Sequence, residues 1–413
     1  MSSIPGAEAP VTRSIREQKV VDGSLTTAQM FGFAVACGLT VANIFYAQPL
    51  IGLIGPSLGM PLGQVGLIVT LTQVGYGAGL LFLVPLSDVL ENRRLVMNAL
   101  VVVALGLLGV AGSHSATTFL LSSFVVGVFA AATQILVPFA SHLAPQEARG
   151  RVVGNVMAGL LGGVMLARPF SSYVAATFGW RAVFFCSAGL MLLLAIFLRE
   201  VLPQRWPRAP LSYGNILRSL PRLAAHTPIL QRRAFYQAMM FAAFNVFWTG
   251  VPLLLAHDFA MGQRGIALFT LAGAAGALSA PIAGRLADRG KTRPATGLAL
   301  LSALIALLIG SAAVVAHSLA LLVLAALLLD AAVQVCQVLS MRTIYTLAPE
   351  SRGRFNGLFI AAAFVGGATG SGLAPAVYTF QGWSTLACVG VVFVIAALTL
   401  FVFELRNREG HIA

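Results

Sequence analysis

Twelve apolar runs follow one another along this chain, and each has about the length that a helix needs to cross a lipid bilayer. A helix of about 20 residues spans the roughly 30 Å of hydrocarbon. A segment alone in lipid must satisfy its own backbone hydrogen bonds, which favours helices. With 58% hydrophobic and 9% charged residues, the chain holds more apolar surface than a water-soluble core can bury. The predicted spans cover, within a few residues, 29–54, 62–86, 95–113, 117–142, 152–175, 180–198, 233–256, 265–286, 295–315, 319–341, 354–379 and 383–403.

The second half of the chain repeats the first at an offset of 203 residues. The segments 149–180 and 352–383 both begin with Arg-Gly-Arg and end with Gly-Trp, and Gly163 aligns with Gly366. Six spans per copy is an even number, so the second copy begins on the side of the membrane where the first began. The sequence therefore predicts an all-α membrane protein whose twelve transmembrane helices form two parallel-repeat six-helix bundles.

Basic residues lie almost entirely in the loops on one side of this arrangement. Only Arg181 and Arg264 fall in loops on the other side, and Arg168 lies within a span. Because positively charged loops stay on the cytoplasmic side, both termini and the middle connection are predicted to be cytoplasmic. The predicted segments are a cytoplasmic tail at 1–25, an N-terminal six-helix bundle at 26–199, a cytoplasmic connecting loop at 200–231, a C-terminal six-helix bundle at 232–404 and a cytoplasmic tail at 405–413.

Asp330 is the only acidic residue well inside any predicted span. An ionisable side chain in hydrocarbon is costly and normally faces a wet cavity or a partner. Asp330, Gln334 and Gln337 are spaced by four and then three residues, which places them on one face of a helix. Three interpretations of Asp330 stay open: a proton carrier, a site for a cationic substrate, or a structural residue in a hydrogen bond between helices.

Amide and aromatic residues recur at matching places in the first and seventh spans. Asn43 and Tyr46 lie near the end of the first span, and Asn245 and Trp248 lie near the end of the seventh. They are either anchors at the membrane interface or side chains that two symmetry-related helices present to a central cavity. Arg168, in the fifth span, either binds an anion or makes a structural link to carbonyl groups or an acid.

The loops after the second and eighth spans each combine an aspartate with arginines. Asp88 is followed by Arg93 and Arg94, and Asp288 is followed directly by Arg289. An aspartate just beyond a helix end can pair with basic groups and can stabilise the positive end of the next helix. These loops therefore predict a cytoplasmic latch between the two halves.

Along essentially its whole length the chain resembles the major facilitator superfamily, and it looks most like the bacterial twelve-span efflux-type members. In those members the first span often ends in the string Tyr-Ala-Gln-Pro-Leu, which lies here at 46–50. The superfamily's loop signature is matched after span eight, and only partly after span two, where Val89 replaces an arginine. The matching residues after span eight are Gly284, Asp288, Arg289, Gly290 and Lys291.

The resemblance implies roles for both the loops and the spans. In the superfamily the loop stabilises one of two alternating-access states, which implies a gating role for both loops here. It also implies the major facilitator fold, with a central site lined mainly by spans one, four, seven and ten. The arginines implied as partners of the two loops are Arg149, Arg151, Arg352 and Arg354.

Two positions depart from the proton-driven drug antiporters of the superfamily. Those antiporters usually carry an arginine in span four, where this chain has Ser123. They also usually carry Gly-Pro in span five, where this chain has Arg168-Pro169. Because of these two departures, proton antiport cannot be assigned to this chain simply from its resemblance to the drug antiporters.

Together these features predict a secondary active transporter, not an enzyme, that exports a small amphipathic organic molecule in exchange for protons by rocker-switch alternating access. Asp330 is the predicted proton-exchanging residue. The chain has no GxxxxGK phosphate-binding loop, so a proton gradient is the predicted energy source, and no cofactor or metal is expected. The predicted substrate-binding residues are Asn43, Tyr46, Gln134, Arg168, Gln237, Asn245, Trp248, Gln334 and Gln337.

The expected partners are a small-molecule substrate, protons and membrane lipid, with the protein a monomer in a bacterial inner membrane. The formal net charge of +13 follows from basic loops beside membrane helices, so no nucleic-acid partner is predicted. Two alternative functions stay open. The protein could import or passively conduct an organic acid whose carboxylate binds Arg168, or it could be a non-transporting membrane receptor or assembly partner.

Overall fold

The computed structural model describes residues 27–207, 212–347 and 352–409, and every regular element in these ranges is helical. Five short 3₁₀ segments join or extend the α-helices, at Gln48–Leu50, Leu62–Gln64, Val84–Asp88, Gln146–Ala148 and Ala275–Ser279. The α-helices are α1 (Thr27–Ala42), α2 (Ile51–Ser57), α3 (Leu67–Phe82), α4 (Asn92–Ala111), α5 (Ala116–Ala130), α6 (Thr133–Leu143), α7 (Arg149–Phe178), α8 (Trp180–Val201), α9 (Tyr213–His226), α10 (Pro228–His257), α11 (Gln263–Ala274), α12 (Ala280–Asp288), α13 (Thr292–Val315), α14 (Leu319–Tyr345) and α15 (Arg352–Glu409).

Nine helical stretches of the described ranges are long and apolar enough to cross a membrane. The longest, Gly353–Arg406, contains Gly382 at φ 72° and is two spans joined end to end. Two further spans are broken helices: α1 continues through a 3₁₀ turn into α2, and α11 continues through Ala275–Ser279 into α12. The total is twelve, which confirms the predicted fold.

The sequence repeat has direct structural counterparts. Ser115 and Ser318 lie 203 residues apart, and each caps the start of a helix by accepting a hydrogen bond from a backbone N–H three residues on. Gly179 and Gly382, also 203 apart, both have positive φ and form the turn between the last two spans of each half. Only glycine adopts this conformation without strain, so both halves use the same turn.

The fifth span of each half packs on the first span of that half backbone to backbone. A Cβ atom at Gly163 would lie 2.1 Å from the carbonyl oxygen of Gly38, and one at Gly366 would lie 2.0 Å from that of Ala238. Such close approach is typical of membrane helices, where small residues bring backbones together. The repeated glycines are therefore packing residues within each half.

The two halves meet along α3 with α15 and along α7 with α11. At the end of the bundle that holds Gly179 and Gly382, called here the opposite end, Gln263 donates a 3.0 Å hydrogen bond to the carbonyl oxygen of Pro49. The other end holds Arg93, Arg149 and Arg342 and is called here the arginine-rich end. There, a Cβ at Gly150 or Gly154 of α7 would face open space, with no described atom beyond its own stretch of helix within 4 Å. The halves are thus closed against each other at the opposite end.

Several predicted segments reach beyond the described residues. The predicted tail at 1–25 lies outside them, as do 208–211 of the connecting loop and 410–413 of the final tail. Within the connection, α9 runs from Tyr213 to His226 and buries Ile216 and Leu220. The boundaries at 26–199, 200–231 and 232–404 stay predictions.

Candidate functional site

Three buried side chains from three helices meet between the two halves. Trp248 of α10 donates a 2.6 Å hydrogen bond from its indole Nε1 to Oδ1 of Asp330 on α14. The guanidinium carbon of Arg168 on α7 lies 4.5 Å from the centre of the Trp248 ring, a cation–π distance. The rings of Phe244 and Phe45 lie 5.0 and 5.4 Å from the same guanidinium carbon. We call Arg168, Trp248 and Asp330 the charged cluster.

Glycines of the eighth span make room for the charged cluster. A Cβ at Gly273 would lie 2.5 Å from the Trp248 ring, and one at Gly276 would lie 2.6 Å from the Cβ of Asp330. Because glycine has no side chain at either position, the eighth span packs directly on the indole, on the Cβ of Asp330 and on the neighbouring backbone of α14. A larger residue at either position would displace them.

Amide side chains extend the charged cluster across the interface between the halves. Arg168 donates from Nε to Oε1 of Gln48 at 2.8 Å, and Gln48 donates from Nε2 to Oδ1 of Asn245 at 3.2 Å and to Oγ1 of Thr249 at 3.3 Å. Gln73 donates to the same oxygen of Asn245 at 2.5 Å. In low-dielectric surroundings such bonds are strong, and any group left out of them is costly. We call Gln48, Gln73, Asn245 and Thr249 the amide network.

Three polar atoms at or near these groups are buried and make no hydrogen bond to any described residue. They are Nη2 of Arg168, Oε1 of Gln73 and Oε1 of Gln237. A buried polar atom without a partner costs about 1–3 kcal/mol, so a bound molecule with matching groups would be stabilised there. Arg168 and Gln73 therefore offer one guanidinium donor and one amide acceptor between the halves, and Gln237 offers a further buried acceptor on α10.

Gln48, Gln73 and Thr249 were not among the residues predicted from the sequence. Gln48 belongs to the string at 46–50 that carries the family resemblance, and Gln73 is an amide near the middle of the apolar second span. An amide inside hydrocarbon normally has a partner or faces a cavity, and this signal could have identified both glutamines. Their pairing with Asn245 depends on tertiary packing alone.

Asn43 and Tyr46 lie away from the charged cluster. Asn43 accepts a 2.6 Å hydrogen bond from Ser187, and its Nδ2 lies 3.6 Å from the sulfur of Met191, both on α8 of the same half. The ring of Tyr46 lies 6.0 Å from that of Phe170 on α7. Both residues are buried within the N-terminal half.

The predicted glutamines lie on three helices, α6, α10 and α14. Gln134 donates to the hydroxyl of Tyr76 at 3.2 Å and accepts from Asn356 of the second half at 3.4 Å, a second polar bridge between the halves. Gln237 is buried, and Gln334 and Gln337 are half-buried on α14. The structure therefore brings Arg168, Asn245, Trp248 and Asp330 together and distributes the other predicted residues around them.

The predicted latch has different partners in this conformation. Asp288 forms an ion pair with Arg342 of the same half rather than with the arginines implied by the resemblance. Arg354 donates a 3.1 Å hydrogen bond to Ser219 of α9. The physical reason is proximity: α12 and α14, which carry Asp288 and Arg342, pack within the same half.

Two of the remaining predicted latch residues donate to backbone carbonyl groups of their own half. Arg93 donates to the carbonyl oxygen of Arg199, and Arg149 donates to that of Ala144 at 3.4 Å. Arg151, Arg289 and Asp88 lie at the same arginine-rich end, and the side chain of Arg352 lies outside the described residues. The charges of Arg354 and Arg205 act on Asp88.

A buried acid that the sequence did not single out organises the first loop. Glu91 accepts hydrogen bonds from the backbone N–H groups of Arg93 and Arg94 at 2.8 and 3.0 Å, which caps α4. It also accepts from the backbone N–H of Arg205 at 3.2 Å, in the connection after the sixth span. Glu91 thereby ties the connecting segment to the first loop.

The fold and the buried polar interface define a multi-pass membrane transporter rather than an enzyme. Residues 32–235 and 233–412 each match the family model described as Major Facilitator Superfamily. The chain belongs to this superfamily, whose transporters generally need no cofactor and take their energy from an ion gradient. Family membership therefore disfavours the receptor alternative.

Relatives and solved structures support this assignment over most of the chain. The chain is 37% identical to the putative uncharacterized transporter YgaY of Escherichia coli strain K12 over 390 residues, which cover 94% of this chain and 98% of the relative. It is 33% identical to the probable transporter SCO4007 of Streptomyces coelicolor, over 97% of this chain and 94% of that one. A solved D-xylose-proton symporter superposes with a TM-score of 0.74 at 16% identity, over 91% and 97% of the two chains, and shows the shared fold.

Proposed function

We propose that this transporter exports a small amphipathic organic molecule in exchange for protons by rocker-switch alternating access, with Asp330 exchanging the proton. The observation that carries the proposal is the hydrogen bond from Trp248 to Asp330 beneath the guanidinium of Arg168. It links an acid in the second half, through a shared aromatic ring, to a cation in the first half. A change of charge at Asp330 would therefore act directly on the contact between the halves.

The coupling follows from what a proton does to this contact. An ionised Asp330 accepts a charge-assisted hydrogen bond from Trp248 and attracts the guanidinium beyond the ring. A protonated Asp330 has no charge, so both attractions weaken and the hold on Arg168 and Gln48 weakens with them. Protonation would thus favour separation of the halves at the opposite end.

The two rocking bodies are the bundles at 26–199 and 232–404, joined by 200–231. The concentration of arginines at one end supports an orientation with that end and both termini in the cytoplasm. The relatives in Escherichia coli and Streptomyces support a bacterial cytoplasmic membrane, where the chain would act as a monomer. The closed opposite end then corresponds to a state that faces the cytoplasm.

The polar and aromatic groups between the halves support the proposed substrate class. Phe244 and Trp248 provide apolar surface, and Gln73 and Gln237 leave buried acceptor atoms free. Apolar walls with a few placed polar groups are typical of sites for small organic molecules.

The loops that carry Asp88 and Asp288 would act as the cytoplasmic gate.

The test uses purified protein in sealed proteoliposomes and a compound first selected by thermal-shift screening at two pH values. Under an imposed pH gradient, Asp330→Asn is expected to abolish gradient-driven accumulation but to retain exchange of labelled for unlabelled compound. Asp258→Asn is the matched control, because Asp258 is an exposed acid bonded to the neighbouring His257. Full gradient-driven flux in Asp330→Asn would exclude Asp330 as the coupling residue.

A second candidate function is import or facilitated passage of an organic acid. The specific observation that favours it is Nη2 of Arg168, a buried guanidinium nitrogen with no partner among the described residues. A carboxylate could accept from this nitrogen. Counterflow of labelled organic acids that is lost in Arg168→Ala and insensitive to the pH gradient would favour this function over proton exchange.

A further inference from the structure

A separate cavity of about 450 Å³ opens at the arginine-rich end of the C-terminal half. It lies between the first turns of α10 and α13 and the last turns of α12, α14 and α15, away from the charged cluster. Four arginines and three threonines contribute to its wall, and Glu404 is the one acid among its described lining residues. We call it the arginine pocket, lined by Arg232, Arg233, Arg293 and Arg342.

The acids near the arginine pocket already have partners. Glu404 accepts a 2.8 Å hydrogen bond from the hydroxyl of Tyr236, and its other oxygen lies 3.6 Å from Arg232. Asp288 is paired with Arg342. These contacts leave Arg233 and Arg293 without an ion pair to any described acid.

Both remaining arginines are positioned to receive an anion. Arg233 is only 9% exposed and donates to Oγ1 of Thr296 at 3.0 Å. Arg293 has a buried terminal nitrogen, Nη2, that bonds to no described residue. A buried cationic donor without an acceptor is costly, so the pocket has an unmet requirement for negative charge and acceptor oxygens.

Two helix starts add to the positive potential. α10 begins at Pro228 and α13 begins at Thr292, and both first turns contribute to the wall. The amino ends of long helices carry partial positive charge and unsatisfied N–H groups, which favour phosphate and similar anions. The helix dipoles and the arginines therefore act in the same direction.

We propose that the arginine pocket binds a phosphate group, either on the headgroup of an anionic phospholipid or on a small soluble phosphate ester. Several guanidinium groups distributed around one cavity suit a tetrahedral anion with three or more acceptor oxygens better than a planar carboxylate with two. The volume exceeds that of phosphate alone and accommodates a glycerol or sugar attached to it. Arg342 belongs to both the pocket and the Asp288 pair. A ligand in the pocket would therefore act on the loop that carries Asp288. This effect on transport rests on the proposed gating role of that loop, whereas the binding site itself does not depend on it.

The experiment measures saturable binding to the full-length protein in nanodiscs of zwitterionic lipid. Inorganic phosphate and glycerol 3-phosphate are the soluble probes, and nanodiscs that contain phosphatidylglycerol provide the lipid probe, read by native mass spectrometry. Acetate is the control anion. Saturable binding of glycerol 3-phosphate identifies a soluble ester as the ligand, and retention of phosphatidylglycerol alone identifies the headgroup; both outcomes support the site.

Variants separate this pocket from general attraction to a basic protein surface. Arg293→Gln is expected to lower the affinity for the phosphate probe about tenfold or more, which is the loss expected for one charged hydrogen bond. Arg289→Gln, an arginine at the same end but outside the lining, is expected to bind normally. If Arg293→Gln does not fold, Arg232→Gln replaces it, because that side chain is 43% exposed. Equal weakening by pocket and control variants would overturn the proposal, as would equal affinity for acetate. The absence of both saturable binding of the soluble phosphate probes and retention of phosphatidylglycerol would overturn it as well.

Discussion

Gln48 of the first half donates a 3.2 Å hydrogen bond to Asn245 of the second half, deep between the two bundles. Asn245 also accepts from Gln73, so one amide oxygen receives two donors from the other half. Asn245 itself is held by a 2.9 Å bond from its Nδ2 to the carbonyl oxygen of Phe241 in the preceding turn of α10. The amide network thus joins two donors on one body, Gln48 and Gln73, to two acceptors on the other, Asn245 and Thr249. Any opening at the opposite end must break it.

The first prediction concerns this bridge. Asn245→Ala removes the acceptor of both bonds and is expected to destabilise the closed opposite end by about 1–3 kcal/mol. Spin labels at Ser57 and His257, exposed near that end, should report a longer mean distance in the variant.

Asn43→Ala is the matched control for this prediction. Asn43 is likewise a buried asparagine, near the end of the first span, but it accepts a hydrogen bond from Ser187 within its own half. The variant should keep the wild-type distance between the two labels. An unchanged distance in Asn245→Ala would mean that the amide network does not hold the closed state.

The second prediction concerns the guanidinium of Arg168. Arg168→Lys keeps the positive charge but loses both the planar stack on Trp248 and the Nε donor to Gln48. We expect a lower thermal unfolding midpoint, with a cost of about 2 kcal/mol, and loss of transport. The control is Arg181→Lys, because Arg181 also stacks on a tryptophan, at 4.3 Å from Trp180, but within one half. Normal transport by Arg168→Lys would show that charge alone is required there.

The third prediction concerns the repeated glycines. Gly163→Ala and Gly366→Ala each place a methyl group within about 2 Å of a backbone oxygen, an overpacking typically worth about 1–3 kcal/mol. Both variants should unfold at a lower temperature than the wild type. Gly162→Ala, next to Gly163 but with no described atom within 4 Å of the new Cβ, should be nearly neutral. Equal midpoints for Gly162→Ala and Gly163→Ala would contradict the packing described for α1 and α7.

The fourth prediction contrasts two acids at the arginine-rich end. Glu91 is 3% exposed and caps α4, so Glu91→Gln is expected to cost about 1–2 kcal/mol through weaker bonds to the backbone. Asp288 and Arg342 are both more than half exposed, so Asp288→Asn is expected to change stability by less than about 1 kcal/mol. Thermal unfolding of both variants at low and high salt provides the measurement. A larger loss for Asp288→Asn would show that its ion pair, rather than the buried cap, stabilises this end.

Much of the architecture was predictable because it depends on patterns local to the chain. The length of each apolar run predicts a span, and the 203-residue offset predicts two equivalent halves. The caps at Ser115 and Ser318 and the turns at Gly179 and Gly382 follow the same offset. Each depends only on a few neighbouring residues, which sequence reasoning can evaluate.

The candidate site was predictable only in part. Asp330, Arg168, Asn245 and Trp248 are unusual in apolar spans and were selected for that reason. Asn43 and Asn245 were selected alike as amides near the ends of the first and seventh spans, yet Asn43 accepts a hydrogen bond from Ser187 in its own half. The two halves share the order of their spans but not every detail: the first span is broken after Ala42, whereas its counterpart α10 is continuous, and this difference is visible only in the folded structure.

The sequence by itself determined the membrane environment, the number of spans and the duplication, because hydrophobic length and repeat register are one-dimensional properties. Only the tertiary structure decided that Trp248 bonds to Asp330 beneath Arg168, that Gln48 and Gln73 share Asn245, and that four arginines surround one cavity. These contacts join helices that lie far apart in the chain. Which of these helices meet depends on close packing at glycines such as Gly273 and Gly276, and no pattern local to the chain encodes that packing.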